Sequence, residues 1–184
     1  MDVSAELFRK RGYEATSVEM IAAALGLSKS SLYHHVESKE EILGWILARA
    51  ISEMMGILDE RRADEGSSLD RLVYVISRAT EVQLDRLVDV SVMLRVRGNT
   101  KAELWALEQR RKFDSNTVNL IKQAQLDGFV DKRLDPEVTA RLAFGMIAWT
   151  AEWYAPSGRI SAAHLRDQLL SILLAGIRAG DGGS

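Results

Sequence analysis

Apolar positions along this chain recur at i, i+3, i+4 and i+7 in segment after segment, the spacing that lines one face of a helix. No stretch alternates apolar and polar residues for six positions between turn residues, so strands are not predicted. Only two prolines, Pro136 and Pro156, interrupt the pattern. The fold class expected is all-α, with about nine helices.

The punctuation between the apolar segments is that of helix ends. The first helix is expected over residues 3–11, with Leu7 and Phe8 turned inward. Arg9, Lys10 and Arg11 sit in its last turn, where the helix dipole favours cations, and Gly12 stops it. Thr16 or Ser17 caps a second helix with Val18, Ile21, Ala22 and Leu25 on its inner face, and Gly26 ends it. Ser28 caps a third, very short helix through His35. Ser38 caps a fourth that runs to about Ala63, and Glu41, three residues on, makes Ser38-Lys39-Glu40-Glu41 a capping box. After the linker-like residues 64–68, helices are expected from Leu69 to about Leu87, from Asp89 to Arg97 and from Lys101 to Asp127. The Asp135-Pro136 pair, a cap followed by proline at the first helical position, starts the next, which runs to about Tyr154. Ser161 caps a last helix that reaches about Ala179, and residues 180–184 are expected to fray.

Composition narrows the function. The 184 residues contain no cysteine, which excludes disulfides, thiolate metal sites and a cysteine nucleophile. No run of 18 or more apolar residues is present and the N-terminus lacks the pattern of a signal peptide, so a soluble, cytoplasmic protein without membrane contact is expected. The three histidines, His34, His35 and His164, form no metal-ligand motif, and no glycine-rich phosphate loop occurs, so neither an enzyme, nor a metal site, nor a cofactor is expected. Lys and Arg number 24 against 26 Asp and Glu, a net charge of −2 that argues at first against a nucleic-acid partner. The local count agrees: residues 1–45 hold five cationic side chains against seven acidic ones.

The spacing of residues 17–39 points the other way. Two short helices separated by Gly26-Leu27-Ser28 have the form of a helix-turn-helix, although the same spacing also fits an ordinary helical corner. In a helix-turn-helix the N-terminal half of the second helix reads base edges in the major groove. Here that half is Lys29, Ser30 and Ser31. Tyr33 and His34 follow on the exposed side and suit phosphate contact. Lys39 stands at the start of the next helix, where backbone N–H groups and an ammonium together grip a phosphate.

The residues around this motif carry a resemblance. Leu7-Phe8, Gly12-Tyr13-Glu14-Ala15-Thr16-Ser17, Ile21-Ala22, Leu25-Gly26-Leu27-Ser28, Ser31-Leu32-Tyr33-His34-His35-Val36 and Ser38-Lys39-Glu40-Glu41-Ile42-Leu43 resemble the N-terminal signature of TetR-family transcriptional regulators over about residues 5–47. The resemblance implies a three-helix DNA-binding domain at 1–45, a connecting helix, and a helical ligand-binding and dimerisation domain at 46–184. It also implies DNA roles for Ser17, Lys29, Ser30, Ser31, Tyr33, His34 and Lys39. Family members carry a longer, often basic, stretch ahead of the Leu7-Phe8 pair than the six residues present here, so the N-terminal arm is expected to be short or missing.

The C-terminal half resembles a subgroup of that family. Phe113, Gln125-Leu126-Asp127-Gly128, Gly145-Met146-Ile147-Ala148-Trp149, Trp153-Tyr154-Ala155-Pro156-Ser157-Gly158 and Ser161 are similar to repressors of fatty-acid or steroid catabolism that respond to acyl-CoA thioesters. The implied effector is a small hydrophobic or acyl-CoA-like molecule. Trp105, Trp149 and Trp153 in otherwise aliphatic helices suit the walls of an apolar cavity, Met146 suits a plastic lining, and Arg95 suits a CoA phosphate. Each also fits plain packing or a solvated face. Leu142, Ile147 and Ala151, with Leu165, Leu169, Ile172, Leu173 and Gly176, exceed what one buried face needs. They mark the last two helices as a homodimer interface, which in the family is a four-helix bundle across a two-fold axis. The expected function is a ligand-responsive regulator, a repressor released from double-stranded, pseudo-palindromic operator DNA. The alternatives are a DNA-binding dimer with no small-molecule response and a helical protein-binding module.

Overall fold

Local capping chemistry sets the elements. In the computed structural model, which describes residues 2–178, the helices are α1 (Asp2–Arg11), α2 (Val18–Ala24), α3 (Lys29–Tyr33), α4 (Lys39–Asp59), α5 (Ser68–Asp85), α6 (Leu87–Leu94), α7 (Lys101–Leu126), α8 (Pro136–Trp153) and α9 (Ala162–Ile177). The expected frayed tail at 180–184, and Ala179 as the expected end of the last helix, lie outside the described residues. Among the described residues the only extended pairing is an isolated antiparallel bridge between Val130 and Arg178. The all-α expectation holds.

Ser17 caps α2 by accepting from the Met20 N–H at 3.2 Å, which resolves the choice between Thr16 and Ser17; Thr16 is fully buried and donates to the Gly12 carbonyl instead. Asp135 accepts from the Glu137 and Val138 N–H groups, and Ser161 from that of His164, so α8 and α9 start where orphan donors are satisfied. A reciprocal capping box that sequence reading missed starts α7: Thr100 accepts from the Glu103 N–H while the Glu103 carboxylate accepts from that of Thr100. The box at Ser38 is modified. Ser38 accepts from Glu41 N–H as expected, but the Glu41 carboxylate reaches one residue further back, to the Glu37 N–H at 2.6 Å.

Two expectations are corrected. α4 stops at Asp59 rather than Ala63, and a 3-10 turn follows at Arg61–Ala63. Glu60 leaves the helix for an extended backbone, φ −72° and ψ 131°, and its carboxylate accepts hydrogen bonds from Tyr74 and Arg78 of α5. Leu25, expected on the inner face of α2, is exposed, because the helix ends at Ala24 and Leu25 is its C-cap.

The chain forms two compact units, one of Met1–Ser52 with Arg86–Arg110 and one of Glu53–Asp85 with Arg111–Ser184. In the first, α1 packs on α2 and α6, and α2 on α3, over a core that includes Phe8, Ile21, Leu43, Ile46 and Leu47. Three polar links tie it together. Arg49 of α4 binds the buried Asp89 of α6 at 2.7 Å, Arg95 donates to the Arg9 carbonyl, and the Ala102 N–H donates to Glu40. In the second unit α5 packs on α8, α9 and the 3-10 turn, with Leu72, Val75, Ile76, Phe113 and Ile121 among its buried residues.

Candidate nucleic-acid interface

The segment between α2 and α3 is a tight, fully specified turn. Gly26 takes φ +69°, in the left-handed region that a Cβ disfavours. With it, the Leu27 N–H reaches the Ala22 carbonyl at 2.9 Å and the Gly26 N–H that of Ala23 at 3.1 Å, the paired bonds of a Schellman motif. Ser28 then caps α3 by accepting from the Ser31 N–H at 3.1 Å. Its hydroxyl also lies 3.0 Å from that of Ser30 and 2.8 Å from that of Ser31. Leu32 and Val36 are buried and fix the helix to its unit, so the opposite face of α3 is left to solvent.

The residues expected to meet DNA differ in exposure. Ser17, Lys29, Ser30, Tyr33 and His34 are exposed, and Ser31 and Lys39 are half-buried. Tyr33 keeps 44% of its surface in solvent. Lys39 is placed by its neighbours: its ammonium donates to the Tyr13 carbonyl at 2.9 Å and sits 4.1 Å above the Tyr13 ring, which in turn meets Phe8 edge-on at 5.2 Å. One of three N–H donors is therefore spent on the fold and two remain. Burial raises the Tyr13 hydroxyl above its ordinary value of 10.0, helped by the nearby charges of Glu40, Glu14 and Glu103, so the ring stays neutral beneath the cation.

Lys29 of α3, and Arg9 and Lys10 of α1, are paired within the unit. Lys29 is bound to Glu19 of α2 and lies 6.0 Å from the Tyr33 ring centroid. The Lys29 ammonium beside it holds the Glu19 carboxyl down to about 2. Arg9 grips Glu6 with two N–H groups at 2.8 Å, and Lys10 reaches the same carboxylate at 3.1 Å. The surface can meet phosphates and base edges by exchanging these internal partners.

In the second unit, α8 and α9 each show two faces. Ile147, Leu165 and Leu169 are buried in their own unit, and Ala151 and Leu173 are half-buried. Leu142 is 65% exposed, Ile172 61% and Trp149 67%, and Gly176 is also exposed. Val138, Leu142, Gly145, Trp149 and Trp153 fall at successive helical turns and form one exposed stripe along α8. Of the eight residues expected at the dimer interface, three are exposed, three are buried in their own unit and two are half-buried.

The residues expected around an effector are drawn from both units. Arg95 and Trp105 belong to the first unit; Arg95 is exposed with one N–H on the Arg9 carbonyl, and Trp105 is 41% exposed. Met146 is half-buried in the second unit, while Trp149 and Trp153 lie on the exposed stripe of α8. The second unit does contain an open cleft of about 910 Å³, with apolar Leu69, Val73 and Leu174 beside Arg62, Tyr74 and Arg166. Arg62 stacks over the Tyr74 ring at 5.1 Å, and Arg78 and Arg166 both bind Glu81. Sequence reading missed these residues because no local spacing links positions 62, 74 and 166. Among the described residues no group of three His, Cys, Asp or Glu is placed to hold a metal, and no helix is long and apolar enough to cross a membrane.

Known proteins share this arrangement over nearly the whole chain. The family model described as bacterial regulatory proteins, tetR family, matches residues 1–44, and that of the tetracyclin repressor-like C-terminal domain matches residues 65–177. The HTH-type transcriptional repressor KstR2 of Rhodococcus jostii (strain RHA1) is 28% identical over 181 residues, covering 96% of this chain and 88% of that protein. The crystal structure of a TetR-family regulator from Streptomyces coelicolor A3 superposes with a TM-score of 0.90 at 43% identity, covering 96% of this chain and 90% of that one. The structure of AibR in complex with isovaleryl coenzyme A and operator DNA superposes with a TM-score of 0.80 at 26% identity, covering 94% of each chain.

Proposed function

Because the chain belongs to the TetR family of bacterial regulatory proteins, we propose that it is a cytoplasmic, homodimeric repressor whose α3 face binds a pseudo-palindromic operator and whose second unit takes an acyl-CoA-type effector. The family consists of DNA-binding transcriptional regulators rather than enzymes, and its members act as dimers. The observation that carries the reading is the open face of α3. Lys29, Ser30, Tyr33 and His34 point to solvent at the end of a turn built to fix the helix, with the Lys39 ammonium held ready beside them. Short hydroxyls at the N-terminal turn allow close approach to base edges, and the flanking Tyr33 and Lys39 suit phosphates.

The exposed α8 stripe supports pairing with a second copy. Large apolar side chains in continuous rows mark interaction surfaces, and isologous pairing of α8 and α9 sets two recognition helices on one DNA duplex. Support for the effector comes from AibR, whose structure holds isovaleryl coenzyme A together with operator DNA. Such a ligand acts only through unequal affinity for the DNA-bound and DNA-free conformations.

The experiment is selection of binding duplexes from a random pool, followed by titration of the selected complex with short-chain, branched-chain and steroid-derived CoA thioesters. The expected result is a motif with two inverted half-sites and release of DNA by at least one thioester. Selection of no motif would remove the operator claim. A motif with no release by any thioester would remove the effector claim alone.

A further inference from the structure

We infer that Glu19 is a specificity-determining residue of the DNA-binding face: its carboxylate occupies Lys29, the recognition-helix cation, and gives it up only to a duplex that fits. The inference rests on the DNA-binding reading above and goes beyond it by naming an internal competitor for phosphate. Lys29 is the only Lys or Arg between Arg11 and Lys39, so it is the one full positive charge that α2, the turn and α3 can offer. Its ammonium is bound to the Glu19 carboxylate, and both side chains remain more than half exposed, at 53% and 56%. The competitor is therefore reachable by solvent and by DNA. Glu19 oxygens stand at the Lys29 ammonium as a phosphate oxygen would. A glutamate carboxyl is ionised throughout the physiological range, so the competitor is always present there.

The consequence follows from ion bookkeeping. A lysine that moves from water to a phosphate releases counterions, and each such contact adds about −0.9 to the slope of log K against log salt. When Lys29 instead moves from Glu19 to a phosphate, the DNA still sheds its counterions, but the freed carboxylate gathers a diffuse ion atmosphere of its own and is repelled by the neighbouring phosphates, so part of the gain is lost. An exposed ion pair is weak, so a duplex that also satisfies Ser30, Tyr33 and Lys39 displaces it. A duplex that makes no such contacts meets a neutral pair, and a bare carboxylate if the pair opens. Glu19 thereby suppresses non-specific binding more than specific binding, in a domain whose five cations already face seven acids.

The test uses the full chain and fluorescence anisotropy on two duplexes, a selected operator and a scrambled one, from about 50 to about 200 mM salt. Glu19→Gln is expected to tighten scrambled-duplex binding about fivefold, tighten operator binding less, and steepen the salt slope by up to about 0.9 per subunit. Glu14→Gln is the matched control: it removes the same charge from an exposed carboxylate that pairs with no cation among the described residues. It is expected to give less than half the effect. In a Lys29→Gln background, Glu19→Gln is expected to change the slope hardly at all. Equal effects of Glu19→Gln and Glu14→Gln would overturn the inference, as would a Glu19→Gln effect that persists without Lys29. A wild-type protein that binds neither duplex at low salt would overturn the DNA reading itself, and this inference with it.

Discussion

The α3 face and the α8 face follow opposite plans. Around α3 and in the neighbouring α1, cations already have internal partners: Lys29 has Glu19, Lys39 has Tyr13, and Arg9 and Lys10 of α1 share Glu6. On the α8 face the apolar Leu142 and Trp149 stand about two-thirds exposed. In the proposed reading the first surface binds by exchanging partners, which makes its affinity adjustable by salt and reversible. The second is incomplete, and exposed apolar area gains most from a permanent partner. One chain thus separates a contact meant to be broken from one meant to last.

Breaking the lasting contact is expected to have the largest effect. Leu142→Glu with Ile172→Glu places charges on the outer faces of α8 and α9 while leaving Ile147, Leu165 and Leu169 in the core. Sedimentation is expected to show a monomer, and operator affinity to fall roughly 100-fold because the two half-sites lose their effective concentration. An unchanged dimer would place the interface elsewhere. Next, Lys39→Ala is expected to weaken operator binding by about 1–3 kcal/mol. Binding curves at several salt concentrations check this, since a phosphate contact lowers the salt slope and a purely structural one does not. Ser28→Ala removes the α3 cap and is expected to cost about 1 kcal/mol in chemical denaturation. A loss of operator binding much larger than that would show that the Ser28 hydroxyl also touches DNA.

The smallest effect is one of pH. The Arg9 hydrogen bond, opposed in part by burial and aided by Lys10, holds Glu6 down to about 2 from an ordinary 4.5. The folded state thus binds the proton more weakly than the unfolded state. The stability that this pair contributes is fully present above pH 4.5 and lost as pH falls through about 2. Urea titrations of the wild type and Glu6→Gln are expected to differ by a constant amount from neutral pH to about 5 and to converge towards pH 2.

The parts legible in the sequence were those fixed by local chemistry. Ser17, Ser28, Asp135 and Ser161 cap helices through bonds to residues two or three positions on, so spacing alone reveals them. Leu32 and Val36 turn inward as their helical spacing requires, and the open face of α3 follows. What escaped depends on residues far apart in the chain. Arg49 with Asp89 and Arg95 with the Arg9 carbonyl group α6 with the N-terminal helices, and no periodicity announces either. Glu60 ends α4 early because Tyr74 and Arg78 receive it. Trp149 suited a cavity wall in the sequence, since an apolar residue on an apolar helix has two places to go, inward or onto a partner. Its 67% exposure shows that its own unit does not cover it.

The three hydroxyls at the start of α3 have a consequence for base contact. The Ser28 hydroxyl lies within hydrogen-bond reach of those of Ser30 and Ser31, and in each of these two pairs either oxygen can be the donor. A hydroxyl rotates to give or to accept, whereas a guanidinium only gives and a carboxylate only accepts. In the proposed reading, Ser30 and Ser31 would meet bases without a fixed polarity, reorienting protons instead of side chains.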